Sequence, residues 1–288
     1  MTSSTSTSTS LPSAHSQPQT QRRMNRLPSP TSMLLPKALS LNNKGVSLLA
    51  KGNQDNAAAG CFSNALVLLN RVMQAEEKRA SHDTSSSSSN DGNDIKLKRI
   101  PLSGFSSNNG NNDDDDNDLH EYNDSFIYKK AIIIPFHVQN GSLLMCSTTK
   151  EALSIYSASI MMNFGLCYHR QFMQHQQPAY KKKARPMYNT VCQTLQSSNH
   201  IIAMRLRVVA LNNMALLPLN DVQKNNNNCM ALQELESLLM VSSSNKIFTE
   251  PSSSFRLSSG TIKRMIMNIA ILSSLNNANV MYRTAAAA

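Results

Sequence analysis

The feature that most constrains this chain is a short motif that returns four times within helical apolar patterns. Asn43-Lys44-Gly45-Val46, Asn163-Phe164-Gly165-Leu166, Asn213-Met214-Ala215-Leu216 and Asn268-Ile269-Ala270-Ile271 each read Asn, any residue, Gly or Ala, then an aliphatic. A Gly or Ala at that point lets a second helix approach closely, because helices cross at short range only where one presents almost no side chain. The stretches that follow carry the matching face. Ala58, Phe62 and Ala65, then Ala184, Tyr188 and Val191, then Ala231, Leu235 and Leu238 repeat small, large, small-or-aliphatic at i, i+4, i+7. Both half-patterns occur in order three times. Asn56-Ala57-Ala58-Ala59 matches the short motif only by chance in an Asn-rich chain.

The sequence therefore predicts an all-α protein of about three antiparallel helical hairpins plus a C-terminal helix. The first hairpin spans 37–80, with Leu41, Leu48 and Leu49 on one face, Ala58, Phe62, Ala65 and Leu69 on the other, and the stop signal Lys51-Gly52-Asn53 between them. The second pair covers 151–170 and 183–195, the third 201–217 and 228–240, with Pro218 closing the first helix of that third pair. A last helix covers about 261–283, and 151–288 reads as one helical block. Residues 124–150 read as extended, with a turn at Asn140-Gly141. Residues 1–36 and 81–123 lack hydrophobic periodicity and are rich in Ser, Thr, Pro, Asn or Asp, so they are expected to be disordered. Residues 241–260 read as a long polar connection.

These hairpins resemble the tetratricopeptide (TPR) family, whose helix–turn–helix units use the same small and large positions. The packing residues by that resemblance are Gly45, Ala58, Phe62, Ala65, Phe164, Gly165, Tyr168, Ala184, Tyr188, Ala215, Ala231, Leu235 and Ala270. The array is interrupted: the motifs start 120, 50 and 55 residues apart, against about 34 in the family. The resemblance implies a concave groove that holds a peptide or helix. Groove candidates are Asn163, His169, Arg170, Asn213, Arg264 and Asn268, since an Asn amide can both donate to and accept from a bound backbone. The carboxylate-clamp subtype of the family would place Lys at Asn42, Asn at Val46 and basic residues at Val209 and Asn213. Only Asn163 fits that subtype.

Catalysis has little to draw on. No P-loop, GxGxxG, GxSxG or HExxH is present, and no pair of carboxylates sits inside an apolar segment. The stretch 162–170 places Cys167 beside His169, but on a helix residues two apart point about 200° away from each other, so they form no nucleophile–base pair. Ile160, Met161, Phe164 and Tyr168 are expected to face the partner helix, and Met162, Leu166, His169 and Met173 the groove. The acidic run 113–124 lacks the Gly, the bidentate Glu and the flanking helices of a calcium loop. A non-catalytic protein is expected, with no cofactor and no metal.

Charge limits the partners. The net charge of +10 divides into +6 over 1–54, 0 over 55–80, −7 over 81–124 and +11 over 125–288. The basic block, with Lys181, Lys182 and Lys183 at its centre, suits an acidic protein or peptide partner, and nucleic acid is the second reading. No apolar run reaches the roughly 18 residues of a membrane-spanning helix. The five widely spaced cysteines form no disulfide framework, which points to a cytoplasmic or nuclear protein. The acid-free, Ser- and Arg-containing N-terminus suggests organellar import as the other reading.

Overall fold

After Lys51 the first helix ends in the left-handed region: φ is +71° at Gly52 and 54° at Asn53, a geometry that glycine adopts freely and asparagine at small cost. Across that turn α1 (Pro30–Ala50) packs on α2 (Asp55–His82). The computed structural model describes residues 30–82, 95, 97–102, 127–136, 138–139, 142–143, 149–217, 225–244, 255 and 257–287. Within them, α3 (Lys150–His175) and α4 (Pro178–Leu195) form a second hairpin, and α5 (Ile201–Leu216) and α6 (Asn225–Ser244) a third. The last described helix is α7 (Ser259–Ala287). Between hairpins α2 packs on α3, α4 on α5 and α6 on α7, so the units stack in chain order.

Local chemistry sets the boundaries. Thr149 caps α3 by accepting from the Ala152 N–H (3.2 Å), and Gln176 ends it with φ 53°. Pro178 opens α4 where its missing N–H costs nothing. α1 begins seven residues earlier than the periodicity indicates, through Pro36. Burial of Leu35, Ala38 and Leu39 against the neighbouring elements offsets the backbone bond that the proline removes. α4 likewise begins five residues early and continues past an internal Pro186.

Four short strands complete the described fold. β1 (Lys98–Pro101) and β2 (Lys130–Ile133) are antiparallel, with Arg99 opposite Ile132. β3 (Val138–Gln139) and β4 (Ser142–Leu143) pair across positions 140–141. β1 lies in a stretch expected to be a disordered linker. Leu97 is fully buried beside it, and Ile95 and Leu102 nearly so, because β2 supplies a partner edge far away in sequence. In the 241–260 connection, 241–244 belong to α6, and Phe255 and Leu257 are buried. Ser259 and Gly260 already belong to α7, while residues 245–254 and 256, most of the 1–36 tail and the acidic run 113–124 lie outside the described residues.

The small-to-large pairing has a direct geometric reading. A Cβ built on Gly45 would stand 2.6 Å from Phe62 Cε1, and one on Gly165 2.7 Å from Tyr188 Cε1. Phe62 and Tyr188 are both fully buried and cannot swing aside. Gly165→Ala should therefore lower stability by about 1–2 kcal/mol, the overpacking penalty less the helix propensity that alanine restores. A urea midpoint unchanged or raised in that variant would show that the helices do not approach this closely. Ala58, Ala65, Ala184, Ala215, Ala231 and Leu235 are all buried, whereas Ala270 is exposed. In α1 and α3 the small residue of the motif faces the helix that follows, and no described helix follows α7. Phe164 packs on the preceding hairpin, with its ring 6.2 Å from Phe62, and stacks on Tyr168 at 4.8 Å.

Candidate functional site

The recurring asparagines converge on one strand. Asn43 Oδ1 accepts from the Ile134 N–H (3.0 Å) while its Nδ2 donates to the Ile134 carbonyl (2.8 Å). Asn163 does the same with Ile132 (2.7 and 2.8 Å), and Asn213 with Tyr128 (2.8 and 3.1 Å). Each amide stands in for the peptide group of a neighbouring strand, exchanging two hydrogen bonds with one residue as an antiparallel pair does. The three gripped residues are all even-numbered. In extended chain, residues two apart present N–H and C=O on the same edge, so one edge of 128–134 faces the asparagines. The other edge faces β1, where the Leu102 N–H donates to the Lys129 carbonyl at 3.0 Å.

Neighbouring amides brace this ladder. Asn42 Nδ2 donates to the Ile132 carbonyl (3.1 Å) and to Asn43 Oδ1 (3.1 Å), and Asn163 Nδ2 donates to Asn42 Oδ1 (2.9 Å). Asn268, the fourth copy of the motif, does not reach the strand. It donates to Asn212 Oδ1 (2.7 Å), and Asn212 donates to Asn213 Oδ1 (3.3 Å). Tyr128, Ala131, Ile132 and Ile134 are buried, so the segment is core as well as cargo of the asparagines. Tyr128 sits deep enough that its hydroxyl is pushed up to about 12, lost solvation being the main cause.

The groove candidates thus divide. Asn163 and Asn213 act together on the chain's own strand, and Asn268 supports them. His169 and Arg170 are not groove residues: both are fully buried. Arg170 reaches Asp55 through both an Nε–H bond (3.2 Å) and an NH2 ion pair, and its NH1 donates to the Leu49 carbonyl (2.5 Å). It ties the α1–α2 turn to α3. Met162 and Leu166, expected on the groove side, are fully buried too. Arg264 lies partly buried on α7, away from this cluster. Sequence reasoning missed Asn42 and Asn212 as bracing residues and missed residues 128–134 as the occupant. The doubled Asn42-Asn43 and Asn212-Asn213 were the available signal.

Cys167 and His169 point apart. The Cys167 thiol donates to the Asp55 carbonyl (3.2 Å), and burial pushes it up to about 12, so it is no thiolate nucleophile near neutrality. His169 Nδ1 lies 3.3 Å from the Tyr188 hydroxyl, and burial lowers its pKa to about 3. The unfolded chain binds that proton with the ordinary value near 6.5. Stability contributed by the neutral ring is complete above pH 6.5 and is lost as pH falls from there towards 3, at about 1.4 kcal/mol per pH unit. At pH 5 the chain should be about 2 kcal/mol less stable than at pH 7 through this group alone. His169→Phe should remove that part of the slope in urea titrations at several pH values. Equal slopes in the two proteins would show that the ring is accessible to protons in the folded state.

Among the described residues no helix is long and apolar enough to cross a membrane. Comparison with family models, with curated proteins and with solved structures returns no match for this chain.

Proposed function

We propose that the chain is a TPR-like helical-repeat scaffold, without a catalytic role, that binds a peptide or helix of another protein. One observation carries the reading: three successive hairpins each commit the same motif asparagine to a paired backbone contact with an extended segment. Repeats that bind backbone in this way have the chemistry of peptide recognition, and stacking more than one of them sets register along the ligand. That edge is taken by the chain's own strand, so the partner is expected on a face the strand leaves open. The stacked, regular hairpins favour an adaptor over an enzyme, working in the cytoplasm or nucleus.

The second reading, an RNA-associated repeat protein, rests on the basic cluster of α4. It is weakened by Tyr188, one of the two nearby aromatics, being fully buried against Gly165 and so withdrawn from base stacking. The test is affinity capture with the full chain from cell extract, with and without ribonuclease, at low and high salt. A protein retained through both treatments supports the scaffold. Recovery lost with nuclease, together with a steep fall of binding with salt, overturns it in favour of RNA.

A further inference from the structure

The two ends of the hairpin stack present opposite surfaces. Over 33–50, α1 exposes Met33, Lys37, Ser40, Lys44 and Ser47, one stripe that is polar beyond Met33. At the other end, over 261–274, α7 exposes Lys263, Ile266, Met267, Ala270, Ile271 and Ser274. At about 100° per residue these six positions fall within about 140° of the helix circumference, so they make one face. Ile266, Met267 and Ile271 are 52%, 45% and 41% exposed, which makes that face apolar. A stack of repeats stays soluble alone when its end units turn a polar face outward. α1 does so and α7 does not.

The motif on α7 indicates what should lie over its open face. Where the motif carries Gly, the following helix brings a ring to it: Phe62 to Gly45 and Tyr188 to Gly165. Where it carries Ala, at Ala215, the following helix is α6, which has no aromatic residue and buries Leu235 and Leu239. Ala270 therefore calls for an aliphatic helix. The stretches 1–29, 83–94, 103–126, 218–224 and 245–254 hold no aliphatic residues at i, i+4, i+7, so none of them supplies it.

α7 meets the requirement itself when two copies run antiparallel. Ile266, Ala270 and Ser274 lie at i, i+4, i+8 and read large, small, small. With a two-fold axis at Ala270, Ile266 of each copy stands over Ser274 of the other, and the two Ala270 meet at the crossing. Ser274 can be covered without losing a hydrogen bond, because its hydroxyl already donates to the Ala270 carbonyl (2.8 Å). Lys263 is the one charged residue of the face. In the antiparallel arrangement the two Lys263 lie about 21 Å apart along the axis, well beyond the screening length of about 8 Å at physiological salt. A parallel pair would bring them together.

We propose that α7 is a self-association surface, on which a second copy of the chain docks its own α7 antiparallel across Ile266, Ala270 and Ser274. Met267 and Ile271 flank the crossing, and one contact covers the apolar ends of both stacks. A single helix pair covers less than the roughly 1,200 Å² at the lower edge of standard stable interfaces, so the dimer forms at micromolar or higher concentration.

Sedimentation velocity of the full chain, from low to several hundred micromolar, should show the 31.7 kDa monomer giving way to a species of twice that mass. Ile266→Asp/Ile271→Asp, at two exposed positions, should raise the dissociation constant at least about tenfold with the helical circular dichroism unchanged. Ala270→Cys should form an intermolecular disulfide under mild oxidant, with the bridged peptide identified by mass spectrometry, and Lys263→Cys should not. This cysteine pair still decides the matter if the aspartate variant loses helicity. A chain monomeric over the whole range, a dimer equally stable in the folded aspartate variant, or bridging as efficient at Lys263→Cys as at Ala270→Cys would each overturn the surface. So would a different protein captured by the unaltered chain and lost with Ile266→Asp/Ile271→Asp in the absence of self-association, since the face would then belong to that protein.

Discussion

Asp55→Ala should lower the stability of the folded chain by about 3–5 kcal/mol, the cost of leaving a buried charge without its counter-ion. Arg170 is fully buried and Asp55 nearly so. Once the carboxylate is gone, the buried guanidinium loses both of its bonds to Asp55 and retains the Leu49 carbonyl. The pair also has an architectural task. Asp55 opens α2 directly after the α1–α2 turn, and Arg170 lies on α3, so the ion pair docks the first hairpin onto the second. Arg170→Met combined with Asp55→Ala removes both charges and should cost less than either single change, giving a coupling of several kcal/mol in a double-mutant cycle. Urea denaturation followed by circular dichroism reads all four proteins. A loss below about 1 kcal/mol for Asp55→Ala would mean that the pair behaves as a surface ion pair and that water reaches it.

Replacing Asn163 by Leu should cost about 3 kcal/mol, although the side chains are similar in size and leucine is the better helix former. The loss arises from unmade bonds. The Ile132 N–H loses its acceptor and Asn42 Oδ1 loses its donor, both in a buried site, while the Ile132 carbonyl keeps the Asn42 donor. Asn163→Asp tests the same point from one side, because a carboxylate still accepts from the Ile132 N–H but repels the Ile132 carbonyl. Native-state hydrogen exchange distinguishes a local from a global effect. Amides of 128–134 should exchange faster in the variant at denaturant concentrations where those of α3 remain protected. Unchanged protection of Ile132 would show that the strand does not depend on the asparagine ladder.

Much of the helical framework was legible in residue order. The hairpins α1–α2, α3–α4 and α5–α6 follow from apolar periodicity and from the Gly45–Phe62 and Gly165–Tyr188 pairings. Helix starts were less legible: α1 begins seven residues before 37, through Pro36, and α4 five residues before 183. β1 was hidden because four residues of unremarkable pattern become a strand only when a partner edge is supplied. His169 and Arg170 were misread for a related reason. A polar residue at a helix end is usually solvated, and only Tyr188, Asp55 and the Leu49 carbonyl, brought in from other helices, make burial tolerable.

The asparagines draw the line most clearly. Their recurrence, their place on the first helix of each hairpin and their capacity to both donate and accept are properties of residue order and amide chemistry. What they hold is not, because an amide bonds a visiting peptide and its own chain equally well. The partners of Asn43, Asn163 and Asn213 lie 91, 31 and 85 residues away in sequence. Stacking of the hairpins alone brings the three side chains onto one edge of residues 128–134, and that tertiary arrangement turned an expected ligand groove into an internal clamp.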